Sequence, residues 1–224
     1  MKSALVLLVA ALLAACSNKP PVPEWQLASH AAAERSLDAY LVGNAHVERQ
    51  EFALARSALA RTGRPELLAR LELRRCAAQV ASLVFEPCSG FEPLRRDAGA
   101  AERAYADYLA GSLAPRDAGL LPPAQRAAAA AGADASALRG IDDPLSRLVA
   151  AGVLLRTGRA TPEVLALASD TASAQGWRRP LLAWLEVQAR RAEHAGATEE
   201  AGRLRRRIVL VDAATPRAPP PQVR

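Results

Sequence analysis

Aromatic residues are scarce in this chain, and their scarcity limits the partners that it can bind. Phe, Trp and Tyr together make up 4% of the 224 residues. Proteins that bind single-stranded nucleic acid stack successive bases on aromatic side chains. The sequence offers no such stacking platform, so we expect no nucleic acid among the partners.

Lysine is nearly absent as well, occurring only as Lys2 and Lys19, so arginine carries the positive charge of the remaining chain. Arginine makes bidentate contacts with phosphate. However, the codons of a GC-rich genome favour Ala, Arg, Gly and Pro, which explains the same bias without a binding site. The formal net charge of +6 suits contact with anionic lipid head groups but does not by itself predict it.

The spaced motifs that mark many catalytic and metal sites are also missing. His30, His46 and His194 are far apart, and none belongs to an HExxH motif. There is no GxSxG motif and no glycine-rich phosphate loop. We therefore predict no metal, no cofactor and no catalytic residue, and we expect each histidine to be a surface or partly buried helix residue.

Two clusters of charge have simple structural explanations. Asp142 and Asp143 could form a pair of carboxylates, but Asp143 precedes Pro144, which is typical of a helix N-cap followed by a first-turn proline. Four arginines near the C-terminus lie on the helix face opposite the apolar one, which predicts a solvated basic face: Arg203, Arg205, Arg206 and Arg207.

The first 15 residues have the pattern of a signal peptide. Lys2 is followed by an apolar run at residues 4–15. A helix that spans the hydrocarbon core needs about 20 apolar residues, and this run has about 12. Residues 1–15 are therefore predicted to be a cleaved leader rather than a transmembrane anchor.

The residues Leu13-Ala14-Ala15-Cys16 resemble the lipobox of bacterial lipoproteins. This resemblance implies cleavage before Cys16, a diacylglycerol on its sulfur and a third acyl chain on its new amino group. An Asp after the cysteine usually retains lipoproteins in the inner membrane, and Ser17 stands there instead, which implies the periplasmic face of the outer membrane. The alternative is an ordinary signal peptide followed by a chance cysteine. Residues 16–24, with three prolines, would form the lipidated tether.

The amino-acid composition of the chain predicts an all-α fold. Half of the chain is hydrophobic, and much of that half is alanine, the strongest helix former. We predict stacked antiparallel helical hairpins in residues 25–214. Residues 112–143, cut by prolines and glycines, should be weakly ordered with one or two short helices, and the proline-rich tail at 215–224 should be disordered.

Two sequence similarities suggest that the hairpins form a repeat. Residues 61–69 reappear in part at 156–166 with two residues inserted. Residues 183–212 resemble a tetratricopeptide repeat, with Ala189 and Ala201 at its small positions and Gly196 at its turn. The stretch departs from that pattern where Gln188, Ala192 and Arg205 replace large apolar residues. An irregular helical bundle is the alternative architecture.

Cys76 and Cys88 are predicted to form a disulfide, since the periplasm is oxidising. A reactive thiol pair is the alternative, but no CxxC spacing supports it. On one continuous helix the two positions would be about 18 Å apart, whereas a disulfide needs Cα atoms within about 7 Å. The apolar stripe from Leu73 to Val84 predicts a helix that ends near Phe85, with Pro87 forcing the chain to reverse.

Two classes of function remain. The first is a non-enzymatic scaffold or adaptor on the periplasmic face of the outer membrane, held to the bilayer by acylated Cys16, that binds a partner protein or peptide between helical hairpins. The second is a cell-envelope enzyme, for example one acting on peptidoglycan, whose site is assembled only in the fold. A pocket with a strongly perturbed His or carboxylate would favour the enzyme, and an open apolar groove would favour the adaptor.

Overall fold

The computed structural model describes residues 22–131 and 135–213. Within these ranges it confirms the predicted all-α fold, since ten α-helices and two 3-10 helices occur and no strand does. Three predictions fall outside the described residues: the leader at 1–15, Cys16 with most of the tether at 16–24, and the tail at 215–224.

The N-terminal part contains four α-helices and one 3-10 helix. Their bounds are α1 Glu24–Val42, α2 Ala45–Ala60, α3 Pro65–Ala81, a 3-10 helix Glu92–Leu94 and α4 Ala100–Ala110. The C-terminal part follows with one 3-10 helix and six α-helices. Their bounds are a 3-10 helix Pro115–Leu120, α5 Pro123–Ala131, α6 Ala135–Arg139, α7 Pro144–Arg156, α8 Pro162–Ala174, α9 Arg178–His194 and α10 Thr198–Ala213.

The starts of α7 and α8 follow from their local sequence. The Asp143 carboxylate accepts a hydrogen bond from the Ser146 amide at 2.7 Å, and the Thr161 hydroxyl accepts one from the Val164 amide at 3.4 Å. A proline follows each cap, where its missing N–H costs no helical hydrogen bond. The predicted N-cap at Asp143 is thus confirmed.

The end of α3 differs from the prediction. The helix stops at Ala81, and Leu83 adopts a φ of 61°, so Leu83 and Val84 do not extend the helical stripe. The Leu83 amide donates to the Val80 carbonyl at 3.0 Å, and the Val84 amide donates to the Gln79 carbonyl at 2.9 Å. This is the Schellman pattern, which usually carries glycine where Leu83 stands.

The chain therefore reverses four residues before Pro87, and the prediction that Pro87 forces the reversal is wrong. A left-handed conformation costs a non-glycine residue about 1–2 kcal/mol. Two features hold this turn: Leu83 packs against the main core, and the Cys76–Cys88 disulfide joins the helix to the returning segment.

Antiparallel hairpins form most of the fold. Helices α1 and α2 pair, and α7, α8 and α9 each pack against the next helix in sequence. The two parts meet where α3 crosses α7, and the helices approach closely there because Gly152 has no side chain. A Cβ at Gly152 would overlap the carbonyl oxygen of Val80.

Helix α9 ties the C-terminal hairpins to the N-terminal ones. Trp184 is fully buried, and its indole nitrogen donates to the Ala81 carbonyl at 3.0 Å. Arg179 donates from Nε to the Tyr40 carbonyl at 2.7 Å, and its guanidinium lies 4.4 Å from the centre of the Tyr40 ring. Side chains of α9 thus bond the last turns of both α1 and α3.

The described residues of the segment at 112–143 include two short α-helices, in agreement with the sequence, and they pack against α4 and α7. Gln125 is 1% exposed. It accepts a hydrogen bond from the Tyr108 hydroxyl at 3.0 Å and donates one to the Ser146 carbonyl at 3.1 Å. Leu121 and Leu138 are buried beside it in the main core. The weak order predicted for this segment stays a prediction.

Candidate functional site

An open groove of about 450 Å³ lies between α3, α4, α7 and the segment that precedes α5. We call it the α3–α7 groove. Helices α3, α4 and α7 and the 120–122 segment all contribute side chains to its lining. Its lining residues are Arg70, Leu73, Arg74, Ala77, Ala101, Glu102, Tyr105, Leu120, Leu121, Pro122, Leu145, Ser146 and Val149.

The floor of this groove is apolar and belongs to the core. Leu73, Ala77, Leu121 and Val149 are each buried, so their side chains are held by packing on the far side. Leu120 at the rim is 43% exposed. The groove therefore offers a fixed apolar surface that continues into an exposed apolar rim.

Charged residues at one edge are already paired. Arg70 donates from Nε to Glu102 Oε1 at 2.7 Å. This hydrogen bond, with the arginine's charge, holds the pKa of Glu102 below its usual range, although partial burial opposes the shift. Arg74 donates to Glu34 on α1 at 2.6 Å, so it is fixed from the opposite side.

Tyr105 supplies an uncharged polar group to the groove. Its ring stacks on Tyr108 with centroids 6.2 Å apart. Burial, reinforced by the negative charge of Asp143, raises the pKa of Tyr105 well above its usual value, so the phenol stays protonated. Within the described residues its hydroxyl makes no hydrogen bond, which leaves it free to bond a ligand.

A second groove of about 390 Å³ lies on the other side of α3, against α1 and the end of α2. Trp25 and His30 contribute from α1, Leu59 from α2, and Leu67 from α3. Arg70 and Arg74 line both grooves. The two arginines therefore form a ridge between the two grooves, with their heads held by glutamates.

The predicted disulfide is confirmed. Cys76 and Cys88 are bridged, with Cα atoms 5.8 Å apart. Cys76 on α3 is nearly buried, and neither cysteine lines the α3–α7 groove. The bridge is therefore a structural link between α3 and the segment that returns along it.

The histidines and the aspartate pair are not brought together. His30, His46 and His194 are all exposed on different helices, and His30 lies 3.7 Å from Glu34. Asp142 and Asp143 are exposed. Among residues 22–131 and 135–213, no group of three or more His, Cys, Asp or Glu side chains could hold a metal ion.

The predicted basic face near the C-terminus is only partly a solvated one. Arg205 reaches across to α9, where it pairs with both Glu186 and Glu193. Arg203 pairs with Glu200 on its own helix. Arg206 is exposed and Arg207 half-buried, and within the described part of the chain neither forms an ion pair. The pairing of Arg205 could not be read from the sequence of α10 alone.

Comparisons with known proteins return nothing: no protein-family model, no curated protein and no solved structure matches this chain. Among residues 22–131 and 135–213, none of the helices combines the length and the apolar composition that a bilayer span requires.

Proposed function

We propose that this protein is a lipoprotein of the outer membrane that faces the periplasm and acts as a helical adaptor, binding an apolar segment of a partner protein in the α3–α7 groove. The lipobox-like residues ending at Cys16 support the anchor. The observation that carries the adaptor role is the groove itself, a fixed apolar floor with a few polar groups at its edge.

The dimensions and lining of the groove suit a short peptide segment. Its volume of about 450 Å³ is within the range of about 300–1,000 Å³ that is usual for binding pockets. Apolar side chains of the partner would pack against the floor at Leu73 and Val149 and would bury the exposed rim at Leu120. The free hydroxyl of Tyr105 can donate to a backbone carbonyl, which would fix the register of the bound segment.

The ionisable groups of the groove suit binding better than proton transfer. A general base near neutral pH needs a raised carboxyl pKa or a histidine. The pKa of Glu102 is instead lowered by Arg70, and the raised pKa of Tyr105 makes that phenol a poor acid or base. The envelope-enzyme alternative therefore finds no specific support in this groove.

Site-specific crosslinking in intact cells tests the groove. A photo-crosslinking amino acid at Leu120 should capture a discrete partner, and Ala101→Trp, which fills the groove from its exposed edge, should lower that capture about tenfold, a loss of about 1.4 kcal/mol. Ala110→Trp is the matched control, because Ala110 is exposed on the same helix but does not line the groove. Equal capture in both variants would rule out the groove as the binding site.

The anchor is tested separately by processing. Cys16→Ser should leave an unprocessed precursor or release the protein to the periplasm, and globomycin, which blocks lipoprotein signal peptidase, should make the wild-type precursor accumulate. If neither treatment changes processing or fractionation, the lipoprotein assignment is wrong.

A further inference from the structure

Among the described residues, the large apolar side chains with the highest exposed fractions lie on the outer face of α10. Val209 is 68% exposed and Leu210 is 73% exposed. Both lie in the last two turns of a helix that packs against α9, through Ala201 and Leu204 on its opposite side. A terminal helix of a helical stack usually has a polar outer face, so these two residues need an explanation.

Unpaired positive charge lies beside these residues. On a helix, Arg206 is three and four positions before Val209 and Leu210, so the three side chains share one face. Arg207 follows at the edge of that face. The neighbouring arginines are neutralised, Arg203 by Glu200 and Arg205 by two glutamates of α9, whereas Arg206 and Arg207 form no ion pair among the described residues.

Exposed apolar residues beside unpaired arginines are the pattern of a helix that lies in a membrane interface. The apolar side chains enter the boundary between head groups and acyl chains, and the arginines pair with anionic phosphates at the surface. We propose that the outer face of α10, formed by Arg206, Arg207, Val209 and Leu210, rests on the anionic phospholipid surface of the membrane that holds the lipid anchor.

This inference rests on the proposed anchor, and the lengths are consistent with it. Arg178 contacts the end of α1 beside Gly43 and pairs with Asp212 near the end of α10. The end of α10 is therefore next to the C-terminal end of α1, about 28 Å from Glu24 at 1.5 Å per residue. Residues 16–23, if extended, span about 27 Å. The fully extended tether is therefore about as long as α1 and reaches back to about the level of the end of α10, where Leu210 lies.

The contact would leave the binding site free. No lining residue of the α3–α7 groove belongs to α9 or α10. Docking through α10 would thus fix the orientation of the adaptor on the membrane while its groove stays open to a partner.

Fluorescence quenching in vesicles tests the contact. Cys76 and Cys88 are bridged and Cys16 would be acylated, so Leu210→Cys supplies one free thiol for the environment-sensitive label NBD. The purified full mature protein is placed in vesicles of phosphatidylethanolamine and phosphatidylglycerol that contain nitroxide lipid. NBD at position 210 should be quenched at least about twofold more than at Leu54→Cys, the control on α2 with 59% exposure. The difference in quenching between positions 210 and 54 should become smaller in the double variant Arg206→Gln with Arg207→Gln. It should also become smaller in vesicles of phosphatidylcholine.

The outcomes separate the two proposals. Equal quenching at positions 210 and 54 in protein whose mass shows the acyl chains overturns the α10 contact and leaves the anchor intact. If the mature protein carries no acyl chains, the proposed anchor is wrong. The α10 contact is then tested alone: flotation with anionic but not neutral vesicles supports it, and no flotation with either contradicts it. A photo-crosslinker at Leu210 that captures an acidic protein in cells, without lipid quenching in vesicles, overturns the membrane assignment in favour of a protein partner.

Discussion

The indole nitrogen of Trp184 donates a hydrogen bond to the carbonyl oxygen of Ala81, 3.0 Å away and 103 positions earlier in the chain. Ala81 is the last residue of α3, where a helix leaves its carbonyls without partners of its own. Trp184 is fully buried in α9. One side chain therefore fills the core and completes the end of a distant helix.

Replacing this indole by a phenyl ring should destabilise the fold. Trp184→Phe keeps an aromatic ring but removes the N–H, leaving a buried carbonyl unpaired at a cost of about 1–3 kcal/mol. Trp177→Phe is the control, because Trp177 is half-buried and its indole makes no hydrogen bond within the described residues. Urea denaturation measures the free energy of unfolding of both variants. Equal losses of stability would show that the hydrogen bond to Ala81 contributes nothing.

Replacing a helical glycine by alanine should lower the stability of the fold at one position and raise it at another. Gly152→Ala puts a methyl group against the carbonyl of Val80 where α3 crosses α7, and overpacking of this kind costs about 1–3 kcal/mol. Gly202→Ala on α10 meets only an Arg206 nitrogen at 3.5 Å, and should gain about 0.5–1 kcal/mol from helix propensity. Thermal unfolding followed by circular dichroism decides both, and a neutral Gly152→Ala would refute the close crossing.

Loss of the disulfide should be destabilising and non-additive. Cys76→Ser and Cys88→Ser each open the same bridge, which joins residues 12 positions apart and contributes about 3 kcal/mol in the chain-entropy model. The double variant should therefore lose no more than either single one. Mass spectrometry of unreduced protein checks the bridge first, and two alkylatable thiols in the folded protein would contradict the structure.

Stability should fall in acid, in part through Glu102. The pKa of Glu102 is lowered in the fold by the hydrogen bond from Arg70, so its stabilisation is complete above the unfolded value of about 4.3. It is lost as the pH falls through the lower folded value. When the pH falls from about 5 to about 3, the urea concentration at the midpoint of unfolding should therefore decrease less for Glu102→Gln than for the wild type.

Glu199→Gln serves as the control for this acid prediction, because Glu199 is exposed and forms no ion pair among the described residues. Its midpoint should follow that of the wild type over the same pH range. If Glu102→Gln also follows the wild type, the ion pair with Arg70 makes no contribution to acid stability.

Features encoded in adjacent residues could be predicted from the sequence. The cap at Asp143 and the proline after it lie next to each other, so the start of α7 was evident before its packing was known. The end of α3 was not, because the turn has Leu83 where a glycine would have marked it. Contacts with the core and the Cys76–Cys88 bridge hold that leucine, and neither leaves a local signal.

The α3–α7 groove had no sequence signal at all. Its floor combines Leu73 of α3 with Val149 of α7, 76 positions later in the sequence, and both belong to ordinary apolar stripes. Sequence periodicity shows that such residues face inward but not which ones border a gap. The hairpin of α9 and α10 was predicted, whereas the bonds from α9 to Ala81 and Tyr40 were not.

The bonds made by α9 also set an order of events during synthesis. The ribosome completes α1 and α3 long before Arg179 and Trp184 exist, and those residues bond Tyr40 and Ala81 across 139 and 103 positions. Contacts of such separation form slowly. The ends of α1 and α3 therefore lack these two bonds until the last quarter of the chain has emerged. If residues 1–15 direct export, the N-terminal helices enter the translocation pore before α9 can complete them.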